Sequence, residues 1–236
     1  MFIFAQLHKI TEPVINLFFP KVCVSCNALL LPDENLICHH CQSDLPITYF
    51  GLNNNNPLFD RLSTIVNIEA AGSLLSFEKS VVVKELVHQL KYQNQQDIGK
   101  FMGKLLTDQI KGEVDLLLID YIIPVPLHPK KQSKRGYNQM TIFGKTLENE
   151  LEITYNEQIL FKTVNNPSQT TKTAAQRRQN VTDVYKVQNP EQYTNKHFLI
   201  IDDVMTTGAT IEACAETLLQ QIEGAKVSVL TMAVVL

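Results

Sequence analysis

One segment, FLIIDDVMTTGATIEACAETL at residues 198–218, restricts the fold more than any other part of the chain. Four apolar residues, two adjacent carboxylates, a Thr-Thr-Gly turn and a helical run follow one another with no spacer. A short apolar run bounded by a turn reads as a buried strand, and burial on both faces is the mark of a parallel sheet covered by helices. Strand end, loop and helix start must then coincide at the carboxyl edge of that sheet, where open α/β domains bind their ligands.

The loop has a definite chemistry. Backbone N–H groups from Met205 through Thr210 converge above the helix start, where unpaired donors and the helix dipole favour an anion. Gly208 lets the backbone approach a phosphate with no side chain in the way, and the hydroxyls of Thr206, Thr207 and Thr210 add donors. Asp202 and Asp203 repel phosphate, but carboxylates suit ribose hydroxyls and a magnesium ion. The combination selects a sugar phosphate over phosphate alone. The bland alternative is a buried strand that ends in an Asp N-cap with a threonine-rich first turn.

The rest of the pattern agrees with an α/β core. Alternating, β-branched segments run from Ser63 to Phe77, then helical spacing passes through Val82, Leu86, Val87 and Leu90, and again through Ile98, Met102, Leu105 and Leu106. LLLIDYIIPVPL reads as a buried strand, Asn138–Glu150 as a helix, Gln158–Phe161 as a strand and AKVSVLTMAVVL as the last strand. This alternation predicts a doubly wound, largely parallel sheet. The 236 residues accommodate such a core and one small appendage. With a formal net charge of -3, the overall charge does not advertise nucleic acid.

The appendage is marked by cysteines. Cys23-x2-Cys26 and Cys38-x2-Cys41 are separated by eleven residues, the spacing of a zinc ribbon in which four thiolates complete a closed tetrahedral shell. A segment this short cannot bury enough apolar area to fold alone, so the metal supplies most of its folding free energy and chelation unfolds residues 21–46 first. Two disulfides in a secreted protein are the alternative. His39 and His40 read as surface residues, and Cys214 as a small buried hydrophobe without chemistry.

Ahead of the ribbon, Ile3, Leu7, Ile10, Val14, Leu17 and Phe18 describe one face of a helix that packs on the domain. This apolar stretch lacks a basic n-region, so a cytoplasmic location is expected, with no membrane span. GLNNNNPLFDR has turn chemistry and no periodicity and reads as a linker. The expected organisation is an N-terminal helix and ribbon over 1–52, a linker over 53–60 and the α/β domain over 61–236.

Residues 198–210, FLIIDDVMTTGAT, closely resemble the signature by which type I phosphoribosyltransferases bind phosphoribosyl pyrophosphate (PRPP). IIPVPLHPKKQSKRGYNQ, QTTKTAAQRRQNV and LVHQLKYQ are similar to motifs of the ComF family of phosphoribosyltransferase-like proteins, which includes the competence proteins ComFC and the GntX proteins and typically carries an N-terminal zinc ribbon. The resemblance spans nearly all of residues 20–236.

It implies a type I phosphoribosyltransferase-like fold in which the loop from Asp202, Asp203, Val204 and Met205 through Thr206, Thr207, Gly208, Ala209 and Thr210 binds PRPP with magnesium. Val125, Pro126 and Leu127 are then the pyrophosphate loop, with Lys130, Lys131, Lys134 and Arg135 supplying charge. Arg135 is the strongest single candidate, since its planar guanidinium matches phosphate oxygens; with Asp202 and Asp203 it makes up the expected catalytic set, and Asn138 is either a ligand or an N-cap. The polar stretch with Lys172, Arg177 and Arg178 resembles a mobile hood loop in which Gln169, Arg177 and Asn180 match the family, and Lys91 with Tyr92 either faces the site or ends a helix. The activity implied is phosphoribosyl transfer to a nitrogen acceptor with release of pyrophosphate, linked to DNA uptake. Thr206 stands where several purine-salvage members carry an acid, and residue 2 is phenylalanine instead of a catalytic cysteine, so neither purine salvage nor glutamine-dependent amide transfer is implied. A rival class is a non-catalytic module that binds PRPP and either single-stranded DNA or a competence helicase-like partner.

Overall fold

The computed structural model describes residues 20–78, 80–127, 133, 137–163 and 184–236. The expected N-terminal helix lies outside the described residues.

A six-stranded sheet runs in the order β1 (Ile47–Asn53), β2 (Ala70–Ser76), β8 (Lys226–Val234), β7 (His197–Met205), β3 (Tyr121–Pro124) and β4 (Thr154–Tyr155). Only β1 is antiparallel to its neighbour, and the others pair in parallel. The fold is therefore α/β with a largely parallel sheet, as the alternation of patterns predicts. The centre is built by β7 and β8, paired from His197↔Lys226 through Met205↔Val234.

Strand periodicity divides the core between the two faces. Along β7, Leu199 and Ile201 pack on one side with Leu230 and Met232 of β8, while Phe198 and Ile200 pack on the other with Val227 and Val229. The first face is covered by α3 (Val81–Tyr92), α4 (Asp97–Leu117) and α5 (Thr141–Leu151), through Val83, Leu86, Leu90, Ile98, Met102, Leu106, Phe143 and Leu147. The second is covered by α2 (Pro57–Ser63) and α6 (Ala209–Gln221), through Leu58, Leu62, Ile211 and Leu218. A small antiparallel pair, β5 (Leu160–Lys162) and β6 (Tyr185–Val187), packs on this second face.

Several boundaries differ from the sequence reading. The asparagine-rich stretch assigned to a linker over 53–60 holds the end of β1 and most of the first turns of α2. Asn56 is the N-cap: its Oδ1 accepts from Phe59 N at 3.0 Å, and its Nδ2 donates to Ala71 O at 2.8 Å and Gly51 O at 3.3 Å. One buried amide thus ties two strands to a helix, which composition alone disguises as turn chemistry. Strand structure begins at Ile47, inside the segment read as ribbon, and resumes only at Ala70. In LLLIDYIIPVPL the leading leucines close α4, and the strand starts at Tyr121.

The cysteine segment docks on the α4 face. Its first knuckle is closed by Cys23 N donating to Ala28 O at 2.8 Å, and the second opens α1 (His39–Ser43), with Cys38 as N-cap. Ile37, Leu45 and three of the cysteines are continuous with the core under α4. Among the described residues no helix is long and apolar enough to cross a membrane.

Candidate functional site

The carboxyl ends of β7 and β3 lie side by side, with Pro124 paired to Ile201, so the loops that follow them face the same edge of the sheet. Strand β7 carries both carboxylates and runs on to Met205; Thr206, Thr207 and Gly208 make the turn, and α6 begins at Ala209. Asp202 and the residues from Val204 to Ile211 line a small hollow above the helix start. Gly208 sits at φ +87°, a left-handed conformation that costs a residue with a Cβ about 1–2 kcal/mol, and the Thr207 hydroxyl accepts from Ala209 N at 3.4 Å. The first-turn amides of α6 have no intrahelical partners and open on this hollow.

The two carboxylates are not equivalent. Asp203 is buried, with Lys91 Nζ at 2.7 Å from one oxygen and Gln139 Nε2 donating to the other at 2.8 Å. Asp202 is partly exposed and lines the hollow. Burial, and then the charge of Asp203, pushes the Asp202 carboxyl up to about 7, while the Asp203 amide donating to it at 2.9 Å and the Lys91 ammonium pull the other way. Asp202 is the carboxylate that faces the hollow, and Asp203 is its anchored neighbour.

That anchor joins motifs far apart in the chain. Lys91 is the last basic residue of α3, and Gln139 belongs to the RGYNQ segment ahead of α5. Tyr137 of the same segment donates from its hydroxyl to Leu90 O at 2.6 Å, holding the end of α3 in place. Lys91, left open between a site role and a helix-end role, lies in the last turn of α3 and pairs with Asp203 beside the hollow. Tyr92 projects outward, 64% exposed, with its ring 5.2 Å from that of His88. Asn138 does not cap α5; its Oδ1 accepts from Met140 N at 3.0 Å one turn earlier.

Beside the carboxylates, the Val125–Leu127 segment is narrower in donors than its sequence suggests. Val125 N donates to Ile201 O at 2.9 Å, extending the β3–β7 ladder, and Pro126 has no N–H, so of these three residues Leu127 has an amide left for a ligand. Lys130, Lys131, Lys134 and Arg135 lie outside the described residues, as do Lys172, Arg178 and the hood positions Gln169, Arg177 and Asn180. The β5–β6 pair that brackets the hood segment is described, and Tyr185 within it lies against Cys214 of α6. Burial, and then the charge of Asp202, pushes the Cys214 thiol up, so it is an inert core group.

One contributor was not legible in the sequence. Arg61 at the end of α2 donates to Thr206 O at 2.5 Å and to Val235 O at 2.6 Å, reaching the carboxylate loop from a helix read as linker. A lone arginine in a polar stretch has no local signal; the contact spans 145 residues of sequence.

Away from this site, the sulfurs of Cys23, Cys26, Cys38 and Cys41 all lie within 4.8 Å of one another. The Cys26–Cys38 separation of 3.7 Å matches the edge of about 3.8 Å expected of a tetrahedron with metal–sulfur bonds of about 2.3 Å. The Cys38 amide donates to Cys23 Sγ at 3.4 Å and the Cys41 amide to Cys38 Sγ at 3.5 Å, bonds that favour thiolates. Burial raises the Cys23 thiol, but the amides around it outweigh that and hold it at about 7. His39 and His40 are exposed and stand outside this cluster, and Glu34 braces it by accepting from Leu31 N at 2.7 Å and His39 N at 2.6 Å.

Residues 142–235 match the family described as Phosphoribosyl transferase domain, which covers β7, the carboxylate loop and α6. DNA utilization protein YhgH of Escherichia coli O157:H7 is 28% identical over 207 residues, 84% of each chain. Competence protein F of Haemophilus influenzae is 26% identical over 217 residues, 85% of this chain and 92% of that one. Among solved structures, adenine phosphoribosyltransferase from Saccharomyces cerevisiae is similar at 19% identity, covering 60% of this chain and 69% of that one with a TM-score of 0.36. The two relatives align over far more of the chain than residues 142–235, so this chain matches a phosphoribosyl transferase domain and is similar over most of its length to proteins named for DNA utilization and competence.

Proposed function

We propose that this protein binds PRPP through the loop that begins at Asp202, with magnesium, and transfers the phosphoribosyl group to a nitrogen acceptor. The observation that carries the reading is the division of labour at the end of β7: a carboxylate that faces a hollow above a helix start whose first-turn amides have no intrahelical partners, next to a buried carboxylate with its own cation. In this reading the 5'-phosphate sits on the amides from Thr206 to Thr210, and Asp202 accepts from the ribose hydroxyls. Leu127, with Lys134 and Arg135, holds the pyrophosphate.

Asp202 and the substrate oxygens fit a hard cation, and magnesium bound there would neutralise the pyrophosphate charge. In the transfer, the bond from the anomeric carbon to pyrophosphate breaks, with its electron pair leaving on pyrophosphate. A bond to the acceptor nitrogen forms, and that nitrogen loses a proton. The hood positions Gln169, Arg177 and Asn180 would exclude water from the oxocarbenium-like carbon. The cysteine cluster is read as structural zinc and the setting as cytoplasmic, where thiolates stay reduced.

A second reading draws on the relatives, whose names refer to DNA utilization and competence. In it the site binds PRPP without turnover, and the chain serves DNA uptake through single-stranded DNA or a competence helicase-like partner. Calorimetric titration of the zinc-loaded protein with PRPP and magnesium tests both. Micromolar binding lost in Asp202→Asn supports the site, and no binding by folded wild type overturns it. A nucleobase panel scored for pyrophosphate release then separates a transferase from a binding module.

A further inference from the structure

We infer that Arg61 is the positioning residue that aims the phosphate loop, an inference that rests on the proposed PRPP site. Its guanidinium forks between two carbonyls that belong to neighbouring strand ends: Thr206 O in the turn after β7, and Val235 O just past β8. Val235 N in turn donates to Met205 O at 2.9 Å. Where β7 and β8 stop pairing as strands, Arg61 straps them together.

The strap has a directional consequence. In a planar trans peptide the carbonyl of one residue and the N–H of the next point in opposite directions. Holding the Thr206 carbonyl outward on Arg61 therefore turns the Thr207 N–H to the other side of the loop, where Thr206, Thr207 and Gly208 line the hollow. Without the strap this peptide is free to flip, and the cradle loses a donor. The same helix and the residues just past its end supply the wall behind the turn: a Cβ placed on Gly208 would stand 3.4 Å from both Leu62 Cδ2 and Ile65 Cδ1. Arg61 is fixed in turn by α2, whose start is capped by Asn56. The segment that looks like a linker is the scaffold of the loop.

A second effect is electrostatic. Guanidinium keeps its charge at any working pH, so Arg61 sets a permanent cation against the outer side of a loop that receives a phosphate dianion. Lysine can restore the charge but cannot bridge both carbonyls with a rigid fork.

The test compares wild type, Arg61→Met and Arg61→Lys in the full-length, zinc-loaded protein. Amide exchange by NMR is followed at Glu212, whose N–H donates to Gly208 O at 2.8 Å, and at Val235, with Leu199 in mid-β7 as the control. Titrations use ribose 5-phosphate and pyrophosphate separately. Loss of a charge-assisted hydrogen bond predicts about tenfold faster exchange at Glu212 and Val235 and about tenfold weaker ribose 5-phosphate binding in Arg61→Met, with Leu199 exchange and pyrophosphate binding unchanged. Arg61→Lys should recover part of the affinity and little of the exchange protection. Unchanged exchange at both flanking amides overturns the inference, as does equal weakening of both ligands, which marks general destabilisation. If folded wild type binds neither PRPP nor ribose 5-phosphate, the PRPP reading falls, while the exchange comparison still decides whether Arg61 holds the loop.

Discussion

Asp202 should cost the protein stability, and removing its charge should return it. The carboxyl is pushed up to about 7 by burial and by Asp203 beside it. An unfolded chain releases that proton near pH 4. Between those values the native state holds a proton that the unfolded state has lost, so stability falls as pH rises through the window and the deficit is complete above about pH 7. A displacement of that size corresponds to about 4 kcal/mol at high pH, but Asp202 keeps partial solvent contact, which screens its charge and leaves about 1–2 kcal/mol. Asp202→Asn retains an acceptor for the Asp203 amide and removes only the charge. Urea unfolding of wild type and variant at pH 8, 6.5 and 4.5 should show Asp202→Asn more stable by about 1–2 kcal/mol at pH 8, with the gain shrinking steadily on acidification. The same variant should lose PRPP binding, the trade expected where a charged site is kept for function. A variant no more stable than wild type at pH 8, or a gain independent of pH, would refute the argument.

Other expectations follow from the same contacts. Lys91→Met leaves Asp203 buried with one polar partner and should cost about 2–4 kcal/mol by denaturant midpoint, whereas Tyr137→Phe, which frees only the Leu90 carbonyl, should cost about 1 kcal/mol. Gly208→Ala should destabilise by about 1–2 kcal/mol in thermal melts, because alanine is strained at φ +87°. Chelation should remove one metal per four-cysteine cluster and, since three of those cysteines are continuous with the core under α4, lower the melting temperature of the whole chain; a melt unaffected by chelator would contradict this. The Leu31 and His39 amides hold the Glu34 carboxyl below its ordinary range, so its contribution is present above that range and lost as pH falls through the lowered value, and Glu34→Gln should flatten the acid limb of ribbon unfolding.

Reading the chain worked best where a local pattern was sufficient for the chemistry. The apolar run before Asp202, the Thr-Thr-Gly turn and the helix after it are contiguous, and each element's periodicity needs only its own residues. The cysteine pairs were equally plain, because metal geometry limits ligand spacing. It failed where partners are remote. Asn56 looked like part of a flexible run because the carbonyls of Gly51 and Ala71 that it serves are visible only once β1 and β2 are paired. Val125 looked like a free donor because nothing in PVPL shows that Ile201 is already its acceptor.

By itself the sequence determined the class of sheet and marked the loop between strand and helix, with its two carboxylates and threonine-rich glycine turn, as the candidate ligand site. Tertiary structure alone decided which carboxylate faces the hollow. Asp202 and Asp203 are chemically identical neighbours, and alternation along β7 turns one toward the hollow and the other inward to Lys91 and Gln139. That choice depends on where α3 and the segment before α5 come to rest, since an ion pair forms only between groups that packing has brought within reach.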